Sequence, residues 1–207
     1  PSKTSLNILK LKSVRNFLRK TKPKYVLHLA GLSRPMDEHY KNINKSISLN
    51  IIGTAHLVNI CSDLKIKLIY LSTSYVYDGK IGNYKEDDPV LPWNNYAWSK
   101  LGGECAVQMY KNSLILRVCM TEKPFVHKKA FANVKLNFIF HDEMVNMLIK
   151  TLDQKGIINI GGPAKTVFEF AKKYNPNVKK IYNKKNKTNS FPPNPFMNLN
   201  KLKKILG

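Results

Sequence analysis

Residues 67–74 read KLIYLSTS, a short apolar run that ends in three small hydroxyl side chains. Apolar runs of this length, bounded by small polar residues, are typical of parallel strands that are buried on both faces. Similar runs occur upstream at 25–31 (YVLHLAG) and downstream at 113–119 (SLILRVC). We therefore predict buried strands at 25–31, 67–71 and 113–119, with the hydroxyl cluster at the carboxyl end of the second.

Segments with apolar residues at helical spacing separate these runs, at 10–21, 43–64 and 95–110. Strands that alternate with helices at this interval indicate βαβ units, so we predict an α/β fold with a Rossmann-type, doubly wound parallel sheet. The other predicted elements are a long loop at 79–94, strands at 137–140 and 156–160, and helices at 142–152, 166–174 and 200–206.

The formal net charge is +22, from 35 Lys and Arg against 13 Asp and Glu. A basic surface can bind nucleic acid by releasing counterions from phosphates. The arginines, which base readout and phosphate contacts favour over lysine, are Arg15, Arg19, Arg34 and Arg117, and the other 31 cations are lysines. We therefore interpret the lysines, including the run at 179–187, as solvated surface and expect no nucleic-acid partner. A lysine-rich nucleic-acid binder is kept as an alternative.

Signals that are missing from the sequence also bear on the class of protein. The sequence has no apolar run of the roughly 18 residues that a membrane span needs and no charged leader followed by an apolar core. We therefore expect a cytoplasmic protein with no membrane partner. Cys61, Cys105 and Cys119 are odd in number and lack metal-ligand spacing, so we expect reduced, buried thiols and no metal site.

One pair of residues has a spacing that suits acid–base catalysis. Tyr96 and Lys100 stand four residues apart in YAWSK, which places both side chains on one face of the predicted helix. A nearby ammonium group favours the phenolate and so lowers the pKa of a tyrosine. Such a tyrosine can exchange a proton with a carbonyl or carbinol oxygen. Thr73 could hydrogen-bond the same oxygen, because ligands of open α/β sheets bind at the carboxyl ends of the strands.

Two histidine-containing stretches have simpler explanations. We interpret His28, which lies between Leu27 and Leu29 in a predicted strand, as a packed core residue. The sequence HDE at 141–143 is similar to a metal or acid–base triplet, but it opens a predicted helix. Its acidic pair is therefore expected to complement the helix dipole.

The chain resembles the extended short-chain dehydrogenase/reductase family, which includes many sugar-nucleotide enzymes. The matching stretches follow the family's order across most of residues 8–170. They are HLAG (28–31), NIIGT (50–54), LSTSYVYDG (71–79), YKEDDP (84–89), YAWSK (96–100), LR (116–117) and GIINIGG (156–162). Within the family, STSYVYDG is most similar to dTDP-4-dehydrorhamnose reductases and related sugar-nucleotide-binding proteins.

The resemblance implies a catalytic set of Thr73, Tyr96 and Lys100. Tyr96 would exchange the proton at the sugar C4 oxygen while a nicotinamide exchanges hydride with C4. Lys100 would lower the pKa of Tyr96 and hydrogen-bond the nicotinamide ribose, so both residues also contact the cofactor. Thr73 would orient the C4 oxygen.

The resemblance also implies binding residues. Ala30, Gly31 and Leu32 would line the dinucleotide, NAD(H) or NADP(H), with Gly31 permitting close approach of the backbone. Ser74 and Met120, together with Thr73, would contact the substrate. Family members usually carry Asp and Trp at the positions of Ser74 and Met120.

These features favour an NAD(P)-dependent reductase of a nucleotide-linked 4-keto-6-deoxy sugar. Ser74 and Tyr75 stand where the 4,6-dehydratases of the family carry an acidic pair, which argues against a dehydratase. A nucleotide-sugar epimerase is an alternative, since it needs only the hydroxyl, Tyr96 and Lys100. A non-catalytic regulatory or binding module of the same fold is a second alternative.

The resemblance further predicts how the chain is organised. Residues 1–120 would form a partial NAD(P)-binding Rossmann domain, and residues 121–207 a substrate-binding portion interleaved with the last sheet strands. The family's glycine-rich phosphate turn is not found in this sequence, so we expect a fragment whose missing strands precede Pro1. We expect this chain by itself to bind dinucleotide weakly and to aggregate through the exposed edge at 25–31. A nucleotide sugar is the expected partner, and a homodimer is compatible with the resemblance.

Overall fold

The computed structural model describes residues 6–183 and 191–207. Its helices are α1 (Leu11–Thr21), α2 (Glu38–Lys41), α3 (Ile43–Ile47), α4 (Gly53–Leu64), α5 (Asn95–Gln108), α6 (His141–Thr151), α7 (Val167–Tyr174) and α8 (Asn200–Leu206). Its strands are β1 (Tyr25–His28), β2 (Lys67–Thr73), β3 (Ser113–Val118), β4 (Met120–Thr121), β5 (Lys129–Phe131), β6 (Lys135–Leu136), β7 (Ile139–Phe140), β8 (Gly156–Ile160), β9 (Lys165–Thr166) and β10 (Lys179–Ile181). Of the lysine-rich run at 179–187, residues 184–187 lie outside the described residues.

The main sheet has the strand order β1-β2-β3-β8. Strands β1 and β2 pair in parallel, with Tyr25 opposite Lys67 and His28 opposite Tyr70. The predicted α/β class with a parallel sheet is therefore confirmed. Among the described residues β1 lies at one edge of this sheet, where Leu27 is 42% exposed, and Leu29, just after the strand, is 58% exposed. The smaller sheets pair β10 with β5, β4 with β7, and β6 with β9.

The chain divides into two compact units whose segments alternate along the sequence. The first comprises Pro1–Ser72, Asn94–Leu116 and Gln154–Ile157, and the second comprises Thr73–Trp93, Arg117–Asp153 and Ile158–Gly207. The division of cofactor and substrate roles that we predict at residue 120 stays a prediction.

The core of the first unit lies where α1, α4 and α5 pack on the sheet. Helix α1 contributes Val14 and Leu18, one turn apart on the same face. The helix is capped at its C-terminus by Lys22, which adopts a left-handed conformation with φ 44° and precedes Pro23, a residue that cannot continue a helix. The cluster is completed by Leu57, Val58, Ile60, Cys61, Ile66, Leu68, Tyr70, Val107 and Ile115.

The single helix predicted at 43–64 is wrong in its middle. Helices α3 and α4 are separated by a π-helical turn at Ser48–Ile52. A π turn carries one extra residue and changes the direction of the side chains within it. Here it contains Asn50, whose buried amide hydrogen-bonds the backbone of Leu32 in the loop after β1. Tertiary hydrogen bonding has overridden the regular helical period.

Gly103 allows α5 to approach the sheet and the π turn closely. A Cβ atom at this position would overlap the hydroxyl of Tyr70 and lie 2.8 Å from the carbonyl oxygen of Asn50. Tyr70 is fully buried, and the carbonyl belongs to the backbone, so neither group can move away at low cost.

We expect Gly103→Ala to destabilise the protein by about 2–3 kcal/mol, because overpacking outweighs the higher helix propensity of alanine. The measurement is urea unfolding followed by far-UV circular dichroism. Gly102→Ala is the matched control, since the three atoms nearest to its Cβ would all belong to the side chain of Ile51 rather than to the backbone or to a buried ring. Equal stabilities of the Gly103→Ala and wild-type proteins would contradict this account of the helix packing.

The second unit orders the long loop predicted at 79–94. Arg117 is 3% exposed and donates hydrogen bonds to the Tyr77 hydroxyl, at 2.8 Å, and to the Glu86 carbonyl oxygen, at 3.1 Å. The Tyr77 hydroxyl lies 2.9 Å from Oδ1 of Asn159, whose backbone N–H donates to the Glu86 carboxylate at 3.0 Å. The rings of Tyr77 and Tyr84 stack at 4.8 Å. The loop thus has little regular structure but many buried polar partners.

Several local expectations can be compared directly with the structure. Asp142 and Glu143 lie in the first turn of α6, as expected for residues that complement the helix dipole, and Glu143 accepts a hydrogen bond from the Phe140 N–H at 2.7 Å. Thr166, where the predicted helix at 166–174 begins, caps α7 by accepting from the Glu169 N–H. Cys61 and Cys119 are buried, but Cys105 is exposed on α5, so the expectation of three buried thiols is wrong at that position. Across 6–183 and 191–207, every helix is too short or too polar to cross a bilayer.

Candidate functional site

Helix α5 places Tyr96 and Lys100 on one face of its first turns. The helix begins at the N-cap Asn94, whose side chain accepts a hydrogen bond from the Ala97 N–H at 2.7 Å. Tyr96 is half-buried, and its carbonyl oxygen accepts from the Ser99 hydroxyl at 2.7 Å. Lys100 is only 9% exposed. The predicted pair therefore shares one short, well-anchored segment of backbone.

Lys100 is held by Tyr70, a residue of β2. Its Nζ lies 4.1 Å from the centroid of the Tyr70 ring, within the range of a cation–π contact. The Tyr70 hydroxyl donates to the backbone carbonyl of Lys100 at 3.2 Å. Burial lowers the pKa of Lys100 from 10.5 to about 7, and the Glu104 carboxylate opposes this change. The ammonium group therefore sits near its titration point at neutral pH.

His28 lies on the other side of Tyr70, with ring centroids 5.4 Å apart. Its Nε2 is 2.9 Å from the Thr54 hydroxyl oxygen, and that hydroxyl donates to the Asn50 carbonyl at 2.8 Å. Burial, together with the charge of Lys100, lowers the pKa of His28 to about 3. The imidazole is thus neutral near pH 7, and the interpretation of His28 as a packed core residue is confirmed by its 3% exposure.

Asn50 joins the loop after β1 to helix α5. Its Oδ1 accepts from the Leu32 N–H at 2.7 Å, and its Nδ2 donates to the Leu32 carbonyl at 2.8 Å and to the Ser99 hydroxyl at 2.8 Å. A Cβ at Gly31 would lie 2.7 Å from the same Oδ1, so glycine is required by this close approach. Ala30 and Gly31 themselves are exposed at the carboxyl side of β1. Asn50 was missed as a site residue, although the stretch NIIGT contains it.

The other predicted site residues belong to the second unit. Thr73 is the last residue of β2, and its hydroxyl accepts from the Tyr75 N–H at 3.3 Å. Ser74 is buried beside Cys119, a thiol whose pKa burial raises to about 12. Met120 is half-buried in β4, opposite Ile139 of β7. The structure thus brings Leu32, Tyr96 and Lys100 together within the first unit, and it places Thr73, Ser74 and Met120 within the second.

The first unit offers groups that fit a nicotinamide dinucleotide. No group of three or more His, Cys, Asp or Glu side chains that could hold a metal occurs among the described residues. The exposed backbone at Ala30 and Gly31 lies at a strand's carboxyl end, where dinucleotides bind in open α/β sheets. Lys100 offers N–H donors of the kind that a ribose hydroxyl accepts.

The sequence is similar to a known family and to several characterised proteins. Residues 1–151 match the sequence model of the RmlD substrate binding domain family. The methionine adenosyltransferase 2 subunit beta of Xenopus laevis is 33% identical over 114 residues, which cover 55% of this chain and 34% of that protein. The dTDP-D-glucose 4,6-dehydratase of Dictyostelium discoideum is 34% identical over 128 residues, covering 56% of this chain and 29% of that protein. The chain thus spans about a third of the length of the curated relatives that it matches.

Solved structures share the fold over nearly the whole chain. A hypothetical dTDP-4-dehydrorhamnose reductase from Sulfolobus tokodaii superposes with a TM-score of 0.85 at 24% identity, covering 98% of this chain and 81% of that one. The dTDP-4-dehydrorhamnose reductase of Bacillus anthracis, solved in complex with NADP, has a TM-score of 0.82 at 22% identity, with coverages of 98% and 80%. These likenesses confirm the predicted Rossmann-type architecture.

Proposed function

The chain belongs to the RmlD substrate binding domain family, and on that basis we propose that it serves the NAD(P)-dependent reduction of a nucleotide-linked 4-keto-6-deoxy sugar. One observation supports this proposal above the others. Tyr96 and Lys100 share one helix face, and burial against Tyr70 brings the pKa of Lys100 to about 7. A general acid paired with a cation that titrates near neutrality suits proton transfer to a carbonyl oxygen.

The proposed mechanism assigns a step to each residue. The reduced nicotinamide, when bound, supplies a hydride to the C4 carbonyl carbon of the sugar. Tyr96 donates its phenolic proton to the C4 oxygen, so that the ketone becomes a secondary alcohol and a phenolate remains. Lys100 stabilises that phenolate by its charge and donates to a ribose hydroxyl. Thr73 donates a hydrogen bond to the C4 oxygen and so orients it.

Two groups of residues are assigned to binding, one for the cofactor and one for the substrate. Ala30, Gly31 and Leu32 line the dinucleotide, with Leu32 held in place by Asn50. Ser74 and Met120 contact the sugar nucleotide. Both differ from the residues that the family usually carries there, so the preferred sugar or base is expected to differ as well. A homodimer and a cytoplasmic location stay predictions from the sequence.

The test is cofactor oxidation in the presence of a keto sugar. The natural protein at its full length is incubated with NADH or NADPH and with a dTDP- or UDP-linked 4-keto-6-deoxyhexose, and absorbance is followed at 340 nm. We expect oxidation that depends on the keto sugar. Reversible interconversion of two 4-hydroxy sugar nucleotides without net oxidation would instead indicate the epimerase alternative. Dinucleotide binding without turnover of any keto sugar would refute the reductase.

A second candidate is a non-catalytic subunit. It is favoured by the 33% identity to a protein named as a subunit of methionine adenosyltransferase. In that case the chain would bind a partner enzyme through the same fold. Size-exclusion chromatography with a purified methionine adenosyltransferase catalytic subunit distinguishes the two, since only the second candidate predicts coelution.

A further inference from the structure

A buried histidine lies against the ring of Tyr96. His39 belongs to α2 and is 1% exposed. Its ring and that of Tyr96 meet edge to face, with centroids 5.3 Å apart and planes inclined at 63°. This is one of the arrangements that aromatic pairs prefer, because the positive edge of one ring meets the negative face of the other. His39 is part of neither the predicted site nor the proposed mechanism.

Two sets of contacts hold His39 in this position. Its Nδ1 lies 2.7 Å from the Ser46 hydroxyl oxygen, and Ser46 is itself buried on α3. The His39 carbonyl accepts a hydrogen bond from Nδ2 of Asn95 at 3.2 Å. The Asn95 N–H in turn donates to the hydroxyl of Tyr40 at 3.4 Å. Because Asn95 directly precedes Tyr96, α2 is tied to the backbone that carries the catalytic phenol.

The contact between His39 and Tyr96 bears on the direction of the phenol, which the proposed reaction depends on. The Ser99 hydroxyl anchors the carbonyl of Tyr96, which defines its backbone but not the direction of its ring. The direction of the phenol depends on rotation about its side-chain bonds, and proton transfer needs the hydroxyl within hydrogen-bond reach of the substrate oxygen. A rigid ring packed against one side of Tyr96 limits that rotation.

The charge state of His39 is compatible with such a role. Burial lowers the pKa of His39 below its usual 6.5, although the Glu38 carboxylate and the backbone of Ser33 act in the opposite direction. The imidazole is therefore neutral at neutral pH. It adds no net charge beside the phenol, so Lys100 is left to favour the phenolate.

We propose that His39 is a positioning residue for Tyr96, which keeps the phenol hydroxyl directed toward the C4 oxygen of the substrate. The inference rests on the proposed function for its kinetic consequence but not for the contact itself. It predicts that loss of the ring affects the chemical step, whereas loss of the Ser46 hydrogen bond alone has a smaller effect.

Three variants separate these contributions. His39→Ala removes the ring contact and the hydrogen bond, His39→Phe keeps an aromatic ring without the hydrogen bond, and Ser46→Ala removes the hydrogen bond alone. We expect His39→Ala to lower kcat for the keto sugar about 10- to 100-fold with little change in KM, since misplacing a reacting group costs about this much. His39→Phe and Ser46→Ala should stay within about threefold of wild type. His141→Ala, at an exposed histidine of α6, is the control.

Two kinetic results would overturn the proposal. One is a wild-type kcat per folded molecule in His39→Ala. The other is a fall in His39→Phe as deep as that in His39→Ala, which would assign the effect to hydrogen bonding alone. Thermal unfolding measured in parallel gives the folded fraction of each variant.

A second readout does not depend on turnover. Tyrosines are replaced biosynthetically by 3-fluorotyrosine, and the Tyr96 signal in the ¹⁹F spectrum is the one absent from Tyr96→Phe. We expect this signal to move or broaden in His39→Ala and to stay near its wild-type position in His39→Phe. An unchanged signal in His39→Ala would refute the positioning role. If the wild-type protein turns over no keto sugar, the proposed reductase fails and the fluorine signal alone decides whether His39 orients Tyr96.

Discussion

Replacing Tyr96 by phenylalanine is expected to lower turnover of the keto sugar by a factor of about 10² to 10⁴, the usual contribution of a general acid. The substitution removes only the hydroxyl group. Tyr96 is half-buried, its carbonyl bonds Ser99, and its ring packs on His39, and each of these contacts survives in phenylalanine. Binding of the dinucleotide and the free energy of unfolding should therefore stay close to their wild-type values.

The matched control is Tyr182→Phe, because Tyr182 is 64% exposed in the second unit. It should turn over the keto sugar at the wild-type rate. The measurement is cofactor oxidation at 340 nm under saturating keto sugar. Turnover by Tyr96→Phe at the wild-type rate would exclude Tyr96 as the proton donor, even if the protein proved to be a reductase.

Acid is expected to destabilise the first unit through His28. Burial lowers the pKa of His28 from 6.5 to about 3, so between these values the unfolded chain binds a proton that the folded chain does not. Stability therefore falls as the pH falls from 6.5 toward 3. The slope is at most about 1.4 kcal/mol per pH unit, which amounts to roughly 5 kcal/mol over the whole interval.

The comparison that isolates this effect is His28→Gln, whose amide can still hydrogen-bond Thr54 but does not titrate. Urea unfolding at a series of pH values between 7 and 4 gives the free energy of unfolding of each protein. We expect the difference between wild type and His28→Gln to shrink or reverse as the pH falls. His141→Gln, at an exposed position, should keep the wild-type slope. The same slope in His28→Gln as in wild type would show that His28 is not the group responsible.

Much of the fold could be predicted because local patterns and tertiary structure agree there. The predicted strand at 156–160 has the observed bounds, and the predicted final helix at 200–206 does as well. Strand β1 ends at His28, earlier than the apolar run, because the residues that follow it turn out of the sheet toward Asn50. The helix at 43–64 was wrong for a related reason, since no periodicity of apolar residues reports the π turn around Asn50.

The candidate site could likewise be predicted only in part from the sequence. That Tyr96 and Lys100 share a helix face follows from their spacing alone, since residues four apart on a helix are neighbours. The environment of the pair does not follow from spacing. Tyr70 reaches Lys100 across 30 positions of the chain, and Asn95 reaches His39 across 56.

The sequence by itself therefore determined the α/β class, the order of the main strands and helices, and the shared helix face of Tyr96 and Lys100. These depend on periodicity and on short spacings, which can be recognised in the sequence itself. Only the tertiary structure decided that Lys100 is buried over Tyr70, that Asn50 clamps the loop at Leu32, and that His39 packs on Tyr96. Such contacts join residues far apart in the chain, and they form because packing the helices on the sheet brings those side chains together.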